Sequence, residues 1–251
     1  MNSNSTLRWF WFASPQTFFP LAGTVARWCA VGAALLALAG LYVGLVVAPT
    51  DAQQGEVYRI IFIHVPAAWM SMFIYVVMAG WAAIGLAFNT RLSFMMAQAL
   101  APTGALFTFL ALWTGSLWGK PTWGTWWVWD ARLTSELVLL FLFLGYLALR
   151  AAFDDTDRAD RASAVLAIVG VINVPVIHYS VQWWATLHQG PTVTRLAAPA
   201  IDTRMLLPLL AMALGFTLYF AALLMLRVRA EVLERERRSR WVQELADGSM
   251  A

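Results

Sequence analysis

Six long apolar runs constrain this chain more than any other feature. They cover roughly Trp28–Val47, Ile60–Phe88, Leu92–Leu117, Leu133–Leu149, Ala164–Trp184 and Met205–Leu226. A stretch of about 20 apolar residues reaches across the hydrocarbon of a bilayer, and the fourth run sits near the lower limit of about 17. In lipid every backbone N–H and C=O must be satisfied within its own segment, which leaves helices as the spanning structure. The expected fold is therefore all-α: a polytopic membrane protein, one integral membrane domain over residues 1–251. Composition agrees, since 61% of the 251 residues are hydrophobic and 12% are charged, about half the charged share of a soluble domain. The opening stretch "MNSNSTLRWFWFASPQTFFP" is broken by Pro15 and Pro20. The run after it is too long for a signal-peptide core, so it reads as a retained helix.

Arginine and lysine near the helix ends set the expected orientation. Arg8, Arg27, Arg91, Arg150, Arg158, Arg161 and the tail arginines from Arg227 to Arg240 gather on one side; Arg59, Lys120, Arg132, Arg195 and Arg204 lie on the other. The first set is larger, so both termini are expected in the cytoplasm. Residues 227–251 read as a charged cytoplasmic tail that continues the last helix. The formal charge of +3 lies toward that tail and suits a membrane surface; no basic-aromatic module for nucleic acid is present. The single cysteine, Cys29, rules out a disulfide or Cys-x-x-Cys pair within the chain. Walker A, GxSxG and HExxH motifs are absent, and no enzyme activity is expected. The longest outer connections are Ala48–Arg59, Trp118–Arg132 and Ala185–Arg204, none long enough for a soluble domain.

The second of these connections reads "WGKPTWGTWWVWDAR". Trp118, Trp123, Trp126, Trp127 and Trp129 crowd beside Lys120, Asp130 and Arg132. Taken as a helix, Trp123, Trp126, Trp127 and Asp130 share one face at i, i+3, i+4 and i+7. Gly119, Pro121 and Gly124 predict an irregular beginning. The expectation is a short amphipathic segment lying at the membrane surface. An interfacial aromatic belt accounts for scattered rings such as Trp69 and Trp183, but not for a dense cluster whose stripe ends in Asp130.

All three histidines lie toward the same side. His64 sits near the outer end of the second span, and His188 where Gly190 and Pro191 are expected to end the fifth. His178 would lie roughly 15 Å deeper than His188 on a regular helix. As a buried intramembrane histidine it is a functional candidate or a side chain bonded to a neighbouring helix. His64 and His188, two neutral imidazoles at one depth, can ligate one metal from opposite sides. Iron in haem suits them, because the macrocycle supplies the other ligands, indoles offer wide apolar faces, and Lys120, Arg132, Arg195 or Arg204 can meet propionates. Zinc would need a third or fourth ligand. A b-type haem protein for electron transfer and a cofactor-free transporter remain open on the residues alone; the first would want a deep partner for His178.

At these residues the sequence resembles a known family. "WGTWWVWDARLTS" is similar to the tryptophan-rich WWD signature of haem-handling membrane proteins in cytochrome c maturation. With six spans, and with histidines in "FIHVP" and "WWATLHQG", the whole chain resembles the cytochrome c maturation protein C (haem exporter protein C) family. Larger relatives that attach haem to apocytochrome have more helices and further histidines, so this chain is too short to be one. The resemblance implies b-type, non-covalent haem on the periplasmic face of a bacterial inner membrane, with His64 and His188 as axial ligands. It implies a haem-lining segment at 118–132, carrying Trp118, Trp123, Trp126, Trp127, Trp129, Asp130 and Arg132. It further implies delivery of haem to a periplasmic chaperone, maturation protein E. The setting it implies is an ABC-type complex with maturation proteins A and B and the small membrane protein known as maturation protein D.

Overall fold

The computed structural model describes residues 14–190, 192–193 and 198–247. Among them the chain is helical, with an isolated bridge at Asp51–Gly55 and no strand. The helices are α1 (Pro15–Tyr42, continued by a wider turn over Val43–Val47), α2 (Ile61–Phe88, entered through a tight turn at Glu56–Ile60), α3 (Arg91–Trp123), α4 (Ala131–Ala151), α5 (Thr156–Gly170), α6 (Asn173–Trp183), α7 (Thr203–Arg235) and α8 (Arg240–Ala246). Among the described residues six stretches are long and apolar enough to cross a membrane: Pro15–Val47, Glu56–Phe88, Arg91–Trp123, Ala131–Ala151, Thr156–Trp183 and Thr203–Arg235. The chain is a multi-pass membrane protein, as its apolar runs predict.

Local chemistry explains the boundaries. Pro15 opens α1 at a position where its missing N–H costs nothing; the helix then runs through Pro20, so the apolar run begins earlier than Trp28. Asn89 adopts a left-handed conformation at φ 52° to end α2, and two residues later α3 returns antiparallel. Asp130, Asp155 and Asp202 cap α4, α5 and α7, each accepting a backbone N–H at 2.8 Å, from Leu133, Arg158 and Arg204. The fifth span is divided at Val171–Ile172. Pro175 lacks the N–H that would bond the Val171 carbonyl, and Val174 bonds it instead at 3.0 Å.

Three expectations need correction. The fifth span ends at Trp183, short of Gly190 and Pro191, because Trp184 is extended; His188 is therefore a loop residue. Pro191, Arg195 and Arg8 lie outside the described residues. The tryptophan stretch is not a surface helix from Trp123 to Asp130: α3 runs through Gly119 and Pro121, Gly124 ends it at φ 78°, and residues 125–130 are irregular until Asp130 starts α4. His178 is exposed on α6 rather than buried.

The core lies among α2, α3, α4 and α5. Tyr75, Met78, Leu100, Leu139, Phe143 and Tyr146 are fully buried there, with Tyr75 and Phe143 edge to face at 4.9 Å. Gly104 and Gly170 allow this approach: a Cβ would lie 2.1 Å from the Phe143 ring and 2.1 Å from the Tyr75 hydroxyl, respectively. At one end of the bundle Asp160 (α5) is buried between Arg150 (α4) and Arg235 (α7), and Arg235 also meets Glu231 and Gln98 (α3). α1 stands apart, packed chiefly on α7. There Gly40 abuts Met212, and Gly215 abuts the Ala37 backbone, small residues letting two helices approach in lipid. The opposite end, where α3 hands over to α4 and α6 to α7, carries the candidate site.

Candidate functional site

A cavity of about 610 Å³ opens at this end, within the size range of small-molecule and cofactor sites. His64 comes from the first turn of α2, two residues before Pro66. Trp118 and Trp123 come from the end of α3, Arg132 from the start of α4, His178 from α6, and His188 from the loop after it. The structure thus brings together residues 124 positions apart, His64 and His188, on one wall system. Among the described residues no carboxylate or thiolate lines the cavity, and no group of three or more His, Cys, Asp or Glu residues suited to a metal ion occurs.

Each histidine is flanked by an indole of the tryptophan stretch. Trp118 meets the His64 ring edge to face at 5.6 Å, and Trp123 meets His188 in the same manner at 4.7 Å. Trp118 is anchored in turn, its indole N–H donating to Gln54 Oε1 at 2.7 Å. Gly115 makes room for His64: a Cβ there would sit 2.9 Å from its Cε1.

Hydrogen bonding to Thr114 favours one His64 tautomer. Thr114 donates its hydroxyl proton to the Leu110 carbonyl at 2.6 Å, so the oxygen lying 3.1 Å from His64 Nδ1 can only accept. The imidazole proton then sits on Nδ1 and the lone pair on Nε2, the state that binds a metal. His188 is largely buried, and burial pushes its pKa down to about 4; the Arg132 cation adds to this and the Asp130 carboxylate opposes it. It is neutral at pH 7, with a lone pair to donate.

The other members of the tryptophan stretch lie off the cavity wall. Trp126 and Trp129 are 54% and 75% exposed. Trp127 packs on Trp129 at 5.4 Å. Lys120 folds back, donating to the Gly124 carbonyl at 3.1 Å, with its ammonium 5.9 Å from the Trp126 ring. Asp130 is behind the wall, where one oxygen caps α4 and the other faces His188 Nδ1 at 3.5 Å. Arg204 is exposed and paired with Asp202 at 3.0 Å. Of the four cations considered for propionates, Arg132 alone among the described residues lines the cavity, its Nη1 directed at the Ile177 carbonyl at 3.4 Å.

Several cavity residues escape a reading of the sequence. Gln53, Gln54 and Gln182 are polar wall residues in or beside connections, and Trp69 and Met72 extend the wall up to about 12 Å along α2 below His64. Thr114 looks like any helix hydroxyl bonded to its own backbone. Beneath the main cavity a smaller one of about 40 Å³ reaches Glu136, whose carboxylate accepts the Ser71 hydroxyl at 2.7 Å. An ionisable residue inside a span is a signal in its own right, and Glu136 could have been singled out on that ground.

These features define a class: a polytopic helical membrane protein whose two histidines, from separate elements, wall one cavity beside a tryptophan-rich connection. The family model described as Heme exporter protein C matches residues 8–243. Heme exporter protein C of Escherichia coli (strain K12) is 50% identical over 233 residues, covering 93% of this chain and 94% of the relative. The protein of that name from Haemophilus influenzae is 44% identical over 241 residues, covering 95% and 98%, and that from Bradyrhizobium diazoefficiens is 49% identical over 227 residues, covering 90% and 86%. The chain belongs to the haem exporter protein C family.

Proposed function

We propose that this chain binds haem in the cavity between α2, α3 and the His188 loop and hands it on during cytochrome c biogenesis. The observation that carries the reading is the pairing of His64 and His188 on one cavity, each flanked by an indole. Haem is the cargo, and the donor set fits it. Two imidazoles satisfy the axial positions of a porphyrin iron, Trp118 and Trp123 supply apolar ring contacts, and Arg132 supplies a guanidinium for a propionate. A site for zinc would want more ligands than this wall offers.

In this reading the cavity faces the periplasm and both termini face the cytoplasm of a bacterial inner membrane, as the arginine distribution favours. Membership of the family supports a periplasmic haem chaperone, maturation protein E, as recipient, and maturation proteins A, B and D as neighbours in the membrane complex. The chain's own part is to hold and orient haem, not to make or break bonds.

The test is the absorption spectrum of the purified full chain. His64→Ala or His188→Ala opens an axial position, so the Soret band should shift or weaken and transfer to the chaperone should fall. An unchanged spectrum in both variants would refute the axial assignment.

A further inference from the structure

We infer that the two histidines are unequal ligands: Asp130 is a positioning residue that makes His188 the tighter one, while His64, backed by Thr114, yields first to an incoming imidazole. This rests on the haem-binding reading above and extends it to the order of ligand exchange.

Asp130 serves two neighbours. Its Oδ1 accepts the Leu133 N–H at 2.8 Å and so starts α4. Its Oδ2 lies 3.5 Å from His188 Nδ1. Both of these facing atoms are buried and without a hydrogen-bond partner among the described residues, and the Asp130 side chain is only 6% exposed. A buried carboxylate oxygen with no donor is costly, and the His188 Nδ1–H is the donor that faces it. Closing the gap by about 0.6 Å gives an ordinary charge-assisted bond. Arg132, two residues on, is the cation near both groups; its side chain is directed to Ile177 on α6.

The partner of His64 differs in kind. Thr114 offers a neutral hydroxyl oxygen whose proton is committed to its own helix. Both arrangements leave the lone pair on Nε2, but they do not make equal ligands. A carboxylate draws the Nδ1 proton toward itself and raises the basicity of the metal-binding nitrogen. A neutral acceptor does so about half as strongly. The His188–iron bond is therefore the stronger, and the site has a fixed end and an exchangeable end. An imidazole carried by another protein would displace His64 while His188 retains the iron.

Five variants of the full haem-loaded chain test this. Asp130→Asn keeps the α4 cap and an acceptor oxygen for His188 but loses the charge. Thr114→Val removes the acceptor for His64. The expected result is a midpoint potential that moves positive in Asp130→Asn, with melting temperature unchanged, and moves much less in Thr114→Val. Asp130→Ser, which can still cap but is too short to reach His188, should retain haem about 10- to 100-fold less tightly. Without touching Asp130, His64→Ala should keep more haem than His188→Ala and should rebind free imidazole. Equal haem loss in those two histidine variants would overturn the inference. So would a Thr114→Val shift as large as that of Asp130→Asn, or no shift in Asp130→Asn. If neither histidine variant alters the Soret band, haem ligation itself fails, which is a separate outcome from the loss of asymmetry.

Discussion

Gly115→Ala is a one-methyl test of how tightly His64 is placed. The added Cβ would lie 2.9 Å from His64 Cε1 and 3.4 Å from Nδ1. Unstrained carbon contacts begin at about 3.5 Å, so the ring must retreat by about 0.6 Å or more. The Nδ1 to Thr114 separation of 3.1 Å would then approach or pass the limit of a useful hydrogen bond, about 3.5 Å. Loss of that bond costs about 1 kcal/mol, or roughly fivefold in affinity, and loss of an orienting partner lowers metal affinity by about 10- to 100-fold. We expect about a tenfold fall in haem affinity, measured by titrating haem into the purified chain and by haem retained per folded protein. The backbone effect has the opposite sign: alanine is favoured over glycine inside a helix by about 0.5–1 kcal/mol. Gly80→Ala, where nothing lies within 4 Å of the new methyl, isolates that gain. The expected pattern is a melting temperature held or raised in Gly80→Ala and held or slightly lowered in Gly115→Ala, with haem binding reduced in Gly115→Ala alone. Equal haem affinity in the two would refute the steric argument.

Two further outcomes follow from the geometry. Trp118→Ala and Trp123→Ala, on the cavity wall, should each weaken haem retention by about fivefold, the equivalent of about 1 kcal/mol for a ring contact; Trp126→Ala and Trp129→Ala, off the wall, should leave haem per folded protein unchanged. Asp160→Asn breaks the buried pairing with Arg150 and Arg235 and should destabilise the protein in detergent by about 3–5 kcal/mol, read as a lower melting temperature, while the haem spectrum of the surviving folded protein stays the same.

The spans and the candidate ligands are legible because lipid enforces simple rules. Apolar length gives the six crossings, and His64 and His188 stand out as polar residues at the same margin. What escaped depends on backbone irregularity. The i, i+3, i+4, i+7 spacing of Trp123, Trp126, Trp127 and Asp130 matches a helix, but Gly124 leaves the right-handed region and unravels it, so the four residues never share a face. His188 could not be placed from a helix ending at Gly190, since the helix stops at Trp183. The facing of Asp130 and His188 joins a cap to a loop 58 positions away, and no periodicity encodes that. Thr114 is silent for another reason: its bond to Leu110 is what any threonine in an apolar helix makes, and only the third dimension shows a histidine on its other side.

The docking of α1 on α7 joins the first and last spans, with four others between them in the chain. Chains are made from the N-terminus, and early segments meet their surroundings before later ones exist. The faces at Gly40 and Gly215 can meet only once the sixth span has been synthesised. A chain that ends before Thr203 would hold its first span only through the extension of α1, where Gly44 meets the Phe62 ring and Arg59 bonds the Gly44 carbonyl at 2.7 Å; the α7 face at Met212 and Gly215 would be missing.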